Sequence, residues 1–377
     1  MSEQRGGACA DCLRRAWLLA ALAGHIGNAD PRRERLGALL ALPDMTLIDA
    51  LGGRKAGSLR ARHEQFDAAA AREECARAGL AATCRHDELH PDALGPLPDA
   101  PAVLHVAGTV ERLAELTAEP AVAVVGARRA SPYGLEVAHG LGRGLAAAGL
   151  TVVSGLALGV DSAGHAGALE AGGRTIAVLA GGADVPYPPS KRRLYGRLLK
   201  TGCAISEMPP GFAPQRWSFV ARNRIIAGLA AATVVVEASE RSGALITAGF
   251  ARSLGREVGA VPGHVTSPLA QGTNALLFDG ALVVRDAGDV LDLVLGPGIR
   301  PARAPRDPAL EPRLARMLDA VASGRDTLGA LASASSEAAE AMVALAELEI
   351  LGYLRRGAGG RYTVVADPPS GATAPVA

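Results

Sequence analysis

The pattern of apolar and polar positions changes texture repeatedly along the chain. Residues 1–16 are polar and read as a flexible N-terminus. Residues 17–90 set apolar clusters between Arg and Glu at helical spacing, as in Leu36, Leu39, Leu40 and Leu47, which predicts a small helical domain. Pro91, Pro96, Pro98 and Pro101 then break any helix and mark a connection. Within 100–295, short apolar runs alternate with Ala- and Gly-rich helical stretches. The runs are Ala121–Val125, Thr151–Val153, Thr175–Leu179, Ala204–Ser206, Thr233–Val236, Glu257–Val261 and Ala281–Val284. Runs that are apolar at successive positions fit strands covered on both faces. The segments between them are long enough for crossover helices, and Ser131-Pro132 and Ser242 mark helix starts.

The fold class expected from this alternation is α/β, a Rossmann-like, doubly wound, mostly parallel sheet. Residues 296–309, with four prolines and Arg300, Arg303 and Arg306, read as a linker. Residues 310–365 predict helices around Leu314–Val321, Leu328–Leu331 and Ser335–Leu348, then a hairpin over Tyr353–Val364 with a glycine turn. Three helices and a basic hairpin suggest a C-terminal winged helix. Residues 366–377 are rich in Pro, Ser and Ala and read as a disordered tail.

Composition narrows the picture. At 377 residues and 49% hydrophobic, the chain can bury two or three cores, which excludes disorder for most of it. Aromatics are only 3%, so the cores must be aliphatic. A net charge of +1 gives no global attraction to nucleic acid, and such binding would need a local cluster. Lysine occurs only at Lys55, Lys191 and Lys200, so an anion site here would be an arginine site. Five cysteines in a chain of this length do not make a disulfide framework and point to reduced thiols in a cytoplasmic setting. Cys9-x-x-Cys12 has no second CxxC or His pair near it in sequence; it reads as part of a loose N-terminus, and no metal is expected. Arg14-Arg15 before Trp17–Gly24 loosely resembles a signal peptide, but His25 ends that run after eight residues and an amphipathic helix fits better. No apolar run approaches the roughly 20 residues that span a bilayer.

In an open parallel sheet a ligand sits beyond the carboxyl ends of the strands. The residues there are Gly126-Ala127-Arg128-Arg129, then Ser154-Gly155 through Asp161 and His165, Gly181-Gly182 with Asp184 and Tyr187-Pro188, Ser206-Glu207, Glu237, Ser242-Gly243 and Pro262-Gly263. Glycine amides, hydroxyls and arginine in these turns read as a phosphate cradle. The sharpest element is Phe219 through Leu229, with Arg222, Asn223 and Arg224. Arginines two apart on a helix diverge, so both cannot lie in one apolar face. An aromatic beside them is a minimal kit for single-stranded nucleic acid; equally, Phe219 is a core residue and the arginines pair with carboxylates. Asp161 and His165, four apart, are either a general-base pair or a capping Asp with a structural His. Glu237 and Asp184 lack the further ligands a metal would need. No Walker A, nucleophile-elbow or kinase pattern occurs, so neither enzyme activity nor a cofactor is expected.

These segments resemble, in order, the motifs of the DNA-processing protein A family, also called DprA or Smf. Val125-Gly126-Ala127-Arg128 is similar to its VGSR, and Ser154 to His165 to its SGxAxGxDxxxH. Gly181 to Pro188 resembles GGxDxxYP, Phe219 to Leu229 resembles FPxRNRIIxGL, and Glu237 to Ala248 resembles EAxxxSGxxxTA. Ala127 replaces the family's Ser, and Val220 its Pro. The resemblance implies a small N-terminal helix-hairpin-helix or SAM-like domain before the Rossmann-like domain and a winged helix after it. It further implies homodimers that bind single-stranded DNA and load the RecA recombinase during natural transformation and homologous recombination. Carried over, Arg128, Arg222, Asn223 and Arg224 would hold phosphates and Phe219 would stack a base. Gly126, Ser154, Gly155, Gly181 and Gly182, with Ser242 and Gly243, would let the strand approach, while Asp161, His165 and Glu237 would be structural. Two rivals stay open. A nucleotide-hydrolysing Rossmann enzyme would need a PGGxGTxxE motif, but Gly272-Thr273-Asn274 follows Gln271. A winged-helix regulator of duplex DNA would need a basic recognition helix, whereas residues 335–348 carry Glu337, Glu340 and Glu347 and no Lys or Arg.

Overall fold

The computed structural model describes residues 7–30, 35–297, 310–332, 335–351 and 353–364. Most of the expected linker and the whole expected tail lie outside them. Six helices come first: α1 (Ala10–Ala21), α2 (Ala23–Ala29), α3 (Leu36–Ala41), α4 (Asp44–Leu51), α5 (Ala56–Glu64) and α6 (Ala68–Arg77). The helical expectation covered 17–90, whereas the helices run to residue 77. It needs two corrections. The first helix starts at Ala10, inside the stretch read as flexible. Leu80–Cys84 is a strand, β1, pairing antiparallel with β2 (Val103–Ala107).

The central unit continues with α7 (Val110–Thr117), β3 (Ala121–Val125), α8 (Pro132–Ala147), β4 (Thr151–Ser154), α9 (Val160–Glu170), β5 (Thr175–Val178), α10 (Arg192–Leu198) and β6 (Cys203–Ser206). Then come α11 (Arg216–Leu229), β7 (Ala230–Val235), α12 (Gly243–Ser253), β8 (Glu257–Ala260), α13 (Gln271–Phe278), β9 (Leu282–Val283) and α14 (Ala287–Leu295). All seven expected strands are present. The sheet has nine strands in the order β1-β2-β6-β5-β4-β3-β7-β8-β9. From β6 to β9 every neighbouring pair is parallel, and β2 meets β6 antiparallel. The chain winds outward from β3 through β4 and β5 to β6, then returns to β3's other side with β7. The β3/β7 boundary is therefore the switch point of the doubly wound sheet, where a crevice opens at the strands' carboxyl ends.

Alternation along β3 explains why both faces are covered. Ala121, Ala123 and Val125 pack in one core with Ile225, Ile226 and Leu229 of α11 and Ala244, Ala248 and Ala251 of α12. Val122 and Val124 pack in the other with Leu141 and Leu145 of α8, Val160 of α9 and Val290 of α14. Each buried Val, Leu or Ile contributes roughly 1.5–3 kcal/mol, and small residues let the layers close. A Cβ at Gly142 of α8 would lie 2.1 Å from the Gly164 carbonyl oxygen of α9, so only glycine permits this helix crossing.

The N-terminal helices share a third core with α11, in which Leu18, Leu19, Leu22 and Ile26 meet Trp217, Val220 and Ala221. The C-terminal segment forms α15 (Pro312–Ala322), α16 (Leu328–Leu331), α17 (Ser335–Ile350) and an antiparallel hairpin of β10 (Leu354–Arg356) and β11 (Tyr362–Val364). It docks on α8 through a buried Arg143–Asp326 ion pair of 2.9 Å and an Arg361–Glu136 pair of 2.7 Å.

Candidate functional site

At the β3/β7 switch point lies a cleft of about 400 Å³, lined by Gly126 and Arg128 after β3, Ala157 and Asp161, Phe219, Arg222 and Asn223 of α11, and Arg241 to Ala244 at the start of α12. The side chain of Ser242 caps α12 by accepting from the Ala244 N–H at 3.3 Å, so the positive end of an 11-residue helix faces the cleft. The carbonyl oxygen of Gly243 accepts from Asn223 Nδ2 at 3.3 Å. Asn223 thus sets the angle of that helix start against α11.

The mouth of the cleft carries an aromatic and cationic stack. The guanidinium of Arg128 lies over the Phe219 ring at 5.1 Å, and the Tyr187 ring tilts against Phe219 at 5.4 Å. Tyr187 is 46% exposed although water disfavours such a surface, and Phe219 is half-buried. Arg128 and Arg241 are exposed and form no ion pair among the described residues. A broader groove of about 810 Å³ continues from Arg128 and Arg129 past Leu158 and Lys191 to Arg361. Arg241 and Lys191 were not singled out in the sequence as site residues; Tyr187 was named there only as part of the strand-end rim and the GGxDxxYP-like segment.

Beneath the mouth, Arg222 is buried. Its Nη1 donates to the Val178 carbonyl oxygen at 2.7 Å, and its Nε has no partner among the described residues. Burial pushes the guanidinium down to about 10, with Asp161 opposing the shift. Asp161 Oδ2 accepts from the Gly155 and Ala157 N–H groups at 3.1 and 3.3 Å. Burial raises its pKa against the pull of Arg222 and these two bonds. Asp161 therefore braces the loop after β4 and is the one carboxylate among the residues lining the cleft.

Arg224 requires correction. It is 2% exposed, donates from Nε to Asp99 at 2.8 Å and grips Glu207 through Nη1 and Nη2 at 3.0 and 2.7 Å. Burial works against the charged form, but Glu207 and Asp99 more than offset it and hold the pKa above the usual arginine value. Arg222 and Arg224 diverge as helical spacing requires, and only Arg222 lines the cleft.

The glycines also differ from expectation, because protein backbone and side chains already occupy the close approaches they permit. A Cβ on Gly155 would lie 1.7 Å from Arg222 Nη1, one on Gly181 would meet Phe212 O at 2.7 Å, and one on Gly182 would meet Pro209 O at 2.8 Å. Gly126 likewise abuts Val160 and the Glu237 carbonyl, though it lines the cleft. Gly243 has open space. Ser154 is buried and donates to Val124 O at 2.6 Å, which removes its hydroxyl from any phosphate. Glu237 accepts from the Ser131 N–H and Oγ at 2.8 and 2.5 Å, pinning the β3–α8 turn.

His165 does not form a dyad with Asp161. Its Nδ1 pairs with Thr175 Oγ1 at 2.7 Å, and burial, reinforced by Arg222, pushes its pKa down from 6.5 to about 3. The unfolded chain therefore takes up the proton first as pH falls, so the stability from a neutral His165 is complete above pH 6.5 and is lost below it. Between pH 7 and pH 5 the expected loss is about 2 kcal/mol. Urea unfolding at the two pH values measures it, and His165→Asn should flatten that limb; an equally steep limb in the variant would contradict the assignment.

Residues 81–295, more than half of the chain, match the model of a family described as DNA recombination-mediator protein A. The chain belongs to that family. It is 48% identical over 199 residues to a DprA protein of Mycobacterium tuberculosis, covering 53% of this chain and 51% of the relative. It is 42% identical over 205 residues to DNA processing protein DprA of Streptococcus pneumoniae, covering 54% and 71%. The matched part thus spans about half the length of the mycobacterial relative. Among solved structures, DprA of S. pneumoniae superposes with a TM-score of 0.60 at 34% identity, covering 74% of this chain and 95% of that one. DprA of Helicobacter pylori, solved for its single-stranded DNA binding mode, superposes with a TM-score of 0.50 at 30% identity, covering 54% and 92%. These DprA structures share the Rossmann-like core. Among the described residues no helix is long and apolar enough to cross a membrane.

Proposed function

We propose that the protein binds single-stranded DNA at the β3/β7 cleft and, as a cytoplasmic homodimer, delivers it to the RecA recombinase in recombination of incoming DNA. The observation that carries this reading is the Arg128–Phe219–Tyr187 stack at the mouth of the cleft, beside the α12 N-terminus. Arg128, Arg241 and the α12 amides take backbone phosphates, while Phe219 and Tyr187 offer faces for bases. Arg222 adds buried positive charge under the strand, with an unused Nε. The action in this reading is binding: Asp161, the carboxylate among the residues lining the cleft, is engaged by two backbone amides and braces the loop.

The single-stranded DNA bound by the H. pylori relative supports the choice of ligand. Dimerisation is supported by an apolar strip on the last strand of the sheet, where Leu282 and Val283 are exposed beside Phe278 at 93% exposure. In this reading the N-terminal helices form the SAM-like unit. The C-terminal helices and hairpin form a winged helix that contacts protein rather than the major groove, because α17 is acidic.

Fluorescence anisotropy with a labelled single strand and a matched duplex, across a salt series, tests the proposal. Tighter binding of the single strand, weakening steeply with salt through counterion release, is expected. Equal affinity for duplex, or binding indifferent to salt, would overturn it.

A further inference from the structure

We propose that Cys9, Cys12, Cys84 and His86 form a structural zinc site that staples the N-terminal helix to the edge of the sheet. The four residues come from two segments more than 70 residues apart. They meet because the chain before α1 runs beside β1: the Ala8 N–H donates to Ala82 O at 3.2 Å, and the Cys9 N–H donates to Cys84 Sγ at 3.4 Å. The three sulfurs and one imidazole nitrogen lie within 4.8 Å of one another. His86 Nδ1 is 3.4 Å from Cys9 Sγ, 3.6 Å from Cys12 Sγ and 4.0 Å from Cys84 Sγ. Tetrahedral zinc with Zn–S near 2.3 Å and Zn–N near 2.0–2.1 Å requires sulfur–nitrogen edges of about 3.5–3.6 Å. The observed separations bracket that value.

The donor set selects the ion. Three thiolates and one imidazole suit zinc, and converging on a single point they leave room for one ion rather than an iron–sulfur cluster. All four are free cysteines or an unbridged histidine. A Cys9–Cys12 disulfide would leave the approach of Cys84 and His86 unexplained. Cys12 and Cys84 are buried whereas His86 is exposed and Cys9 half-buried, so solvent reaches the cluster from one side. The expectation of a loose, metal-free Cys9-x-x-Cys12 failed to anticipate the Cys84-x-His86 half, which sits in a segment read as helical.

The consequence reaches the cleft through packing. The start of α1 rests on Val103 and Cys84 through Ala8, Cys12, Leu13 and Ala16. Its later turns bury Leu18 and Leu19 against Trp217, Val220 and Ala221 of α11, the helix that bears Phe219 and Arg222. An ion at the head of α1 thus fixes the support behind α11.

Elemental analysis of the full, untagged chain purified under reducing conditions without chelator should find about one zinc per chain. Replacing zinc by cobalt should give the visible bands of a tetrahedral ion together with a thiolate-to-cobalt charge-transfer band. Cys12→Ser and Cys84→Ser should abolish both signals, and His86→Cys should retain stoichiometric metal. Wild-type chain without zinc and without a charge-transfer band on cobalt addition would overturn the proposal. So would full metal content in the Cys12→Ser, Cys84→Ser double variant. The cobalt spectrum is read on the wild type, so misfolding of a variant does not blunt the test.

Discussion

Arg224→Ala should lower the free energy of unfolding by about 3–5 kcal/mol, because it strands two carboxylates inside the protein. The guanidinium joins three distant segments: Asp99 in the proline-rich connection, Glu207 after β6, and α11 itself, where Nη1 also donates to the Ala221 carbonyl at 3.0 Å. Asp99 and Glu207 are themselves buried, so neither can recover its lost partner from water. Truncating the arginine forces these acids to protonate or the connection to open. Glu207→Gln should cost less, since the amide keeps an acceptor for one Nη group. Urea unfolding followed by circular dichroism measures the difference. A variant of wild-type stability that has lost DNA affinity would make Arg224 a phosphate ligand and contradict this account.

The second large effect falls on binding and leaves the fold intact. Phe219→Ala should weaken single-strand binding by about 1–3 kcal/mol, the usual worth of one base–aromatic stack. Phe219→Tyr should bind nearly as wild type because the ring face survives. Adding Arg128→Ala should bring the total loss to about 100-fold and reduce the salt dependence by about one phosphate contact. The two side chains touch at 5.1 Å, so their effects should not add. Arg128 is exposed and Phe219 half-buried, and the melting temperature should stay near wild type. Anisotropy titrations on the four proteins check this; a double variant that binds normally would remove the stack from the site.

The parallel core was legible in the sequence because its strands are continuously apolar and therefore buried on both faces, as β3, β4 and β5 are at every position. The β1–β2 pair was not. Leu80–Cys84 follows an amphipathic helix, and both strands depend on long-range antiparallel pairing that no local pattern records. In the site, helical spacing foretold that Arg222 and Arg224 diverge but not which of them meets carboxylates, since Asp99 and Glu207 reach Arg224 from across the fold. The Gly155, Gly181 and Gly182 turns were read as close approaches for a strand of DNA, yet the approaching groups are Arg222 and the Pro209–Pro214 segment. The cysteine cluster was invisible for the same reason as β1, because its two halves belong to segments whose meeting is a tertiary event.

The central claim is that a single strand lies across the β3/β7 switch point, and a crystal structure of the chain with a short oligothymidine tests it most directly. The account predicts a base against Phe219 or Tyr187, with phosphates near Arg128 and the α12 N-terminus and Arg224 still locked to Asp99 and Glu207. A strand bound elsewhere, or one whose phosphates draw Arg224 out of its carboxylate pair, would contradict it.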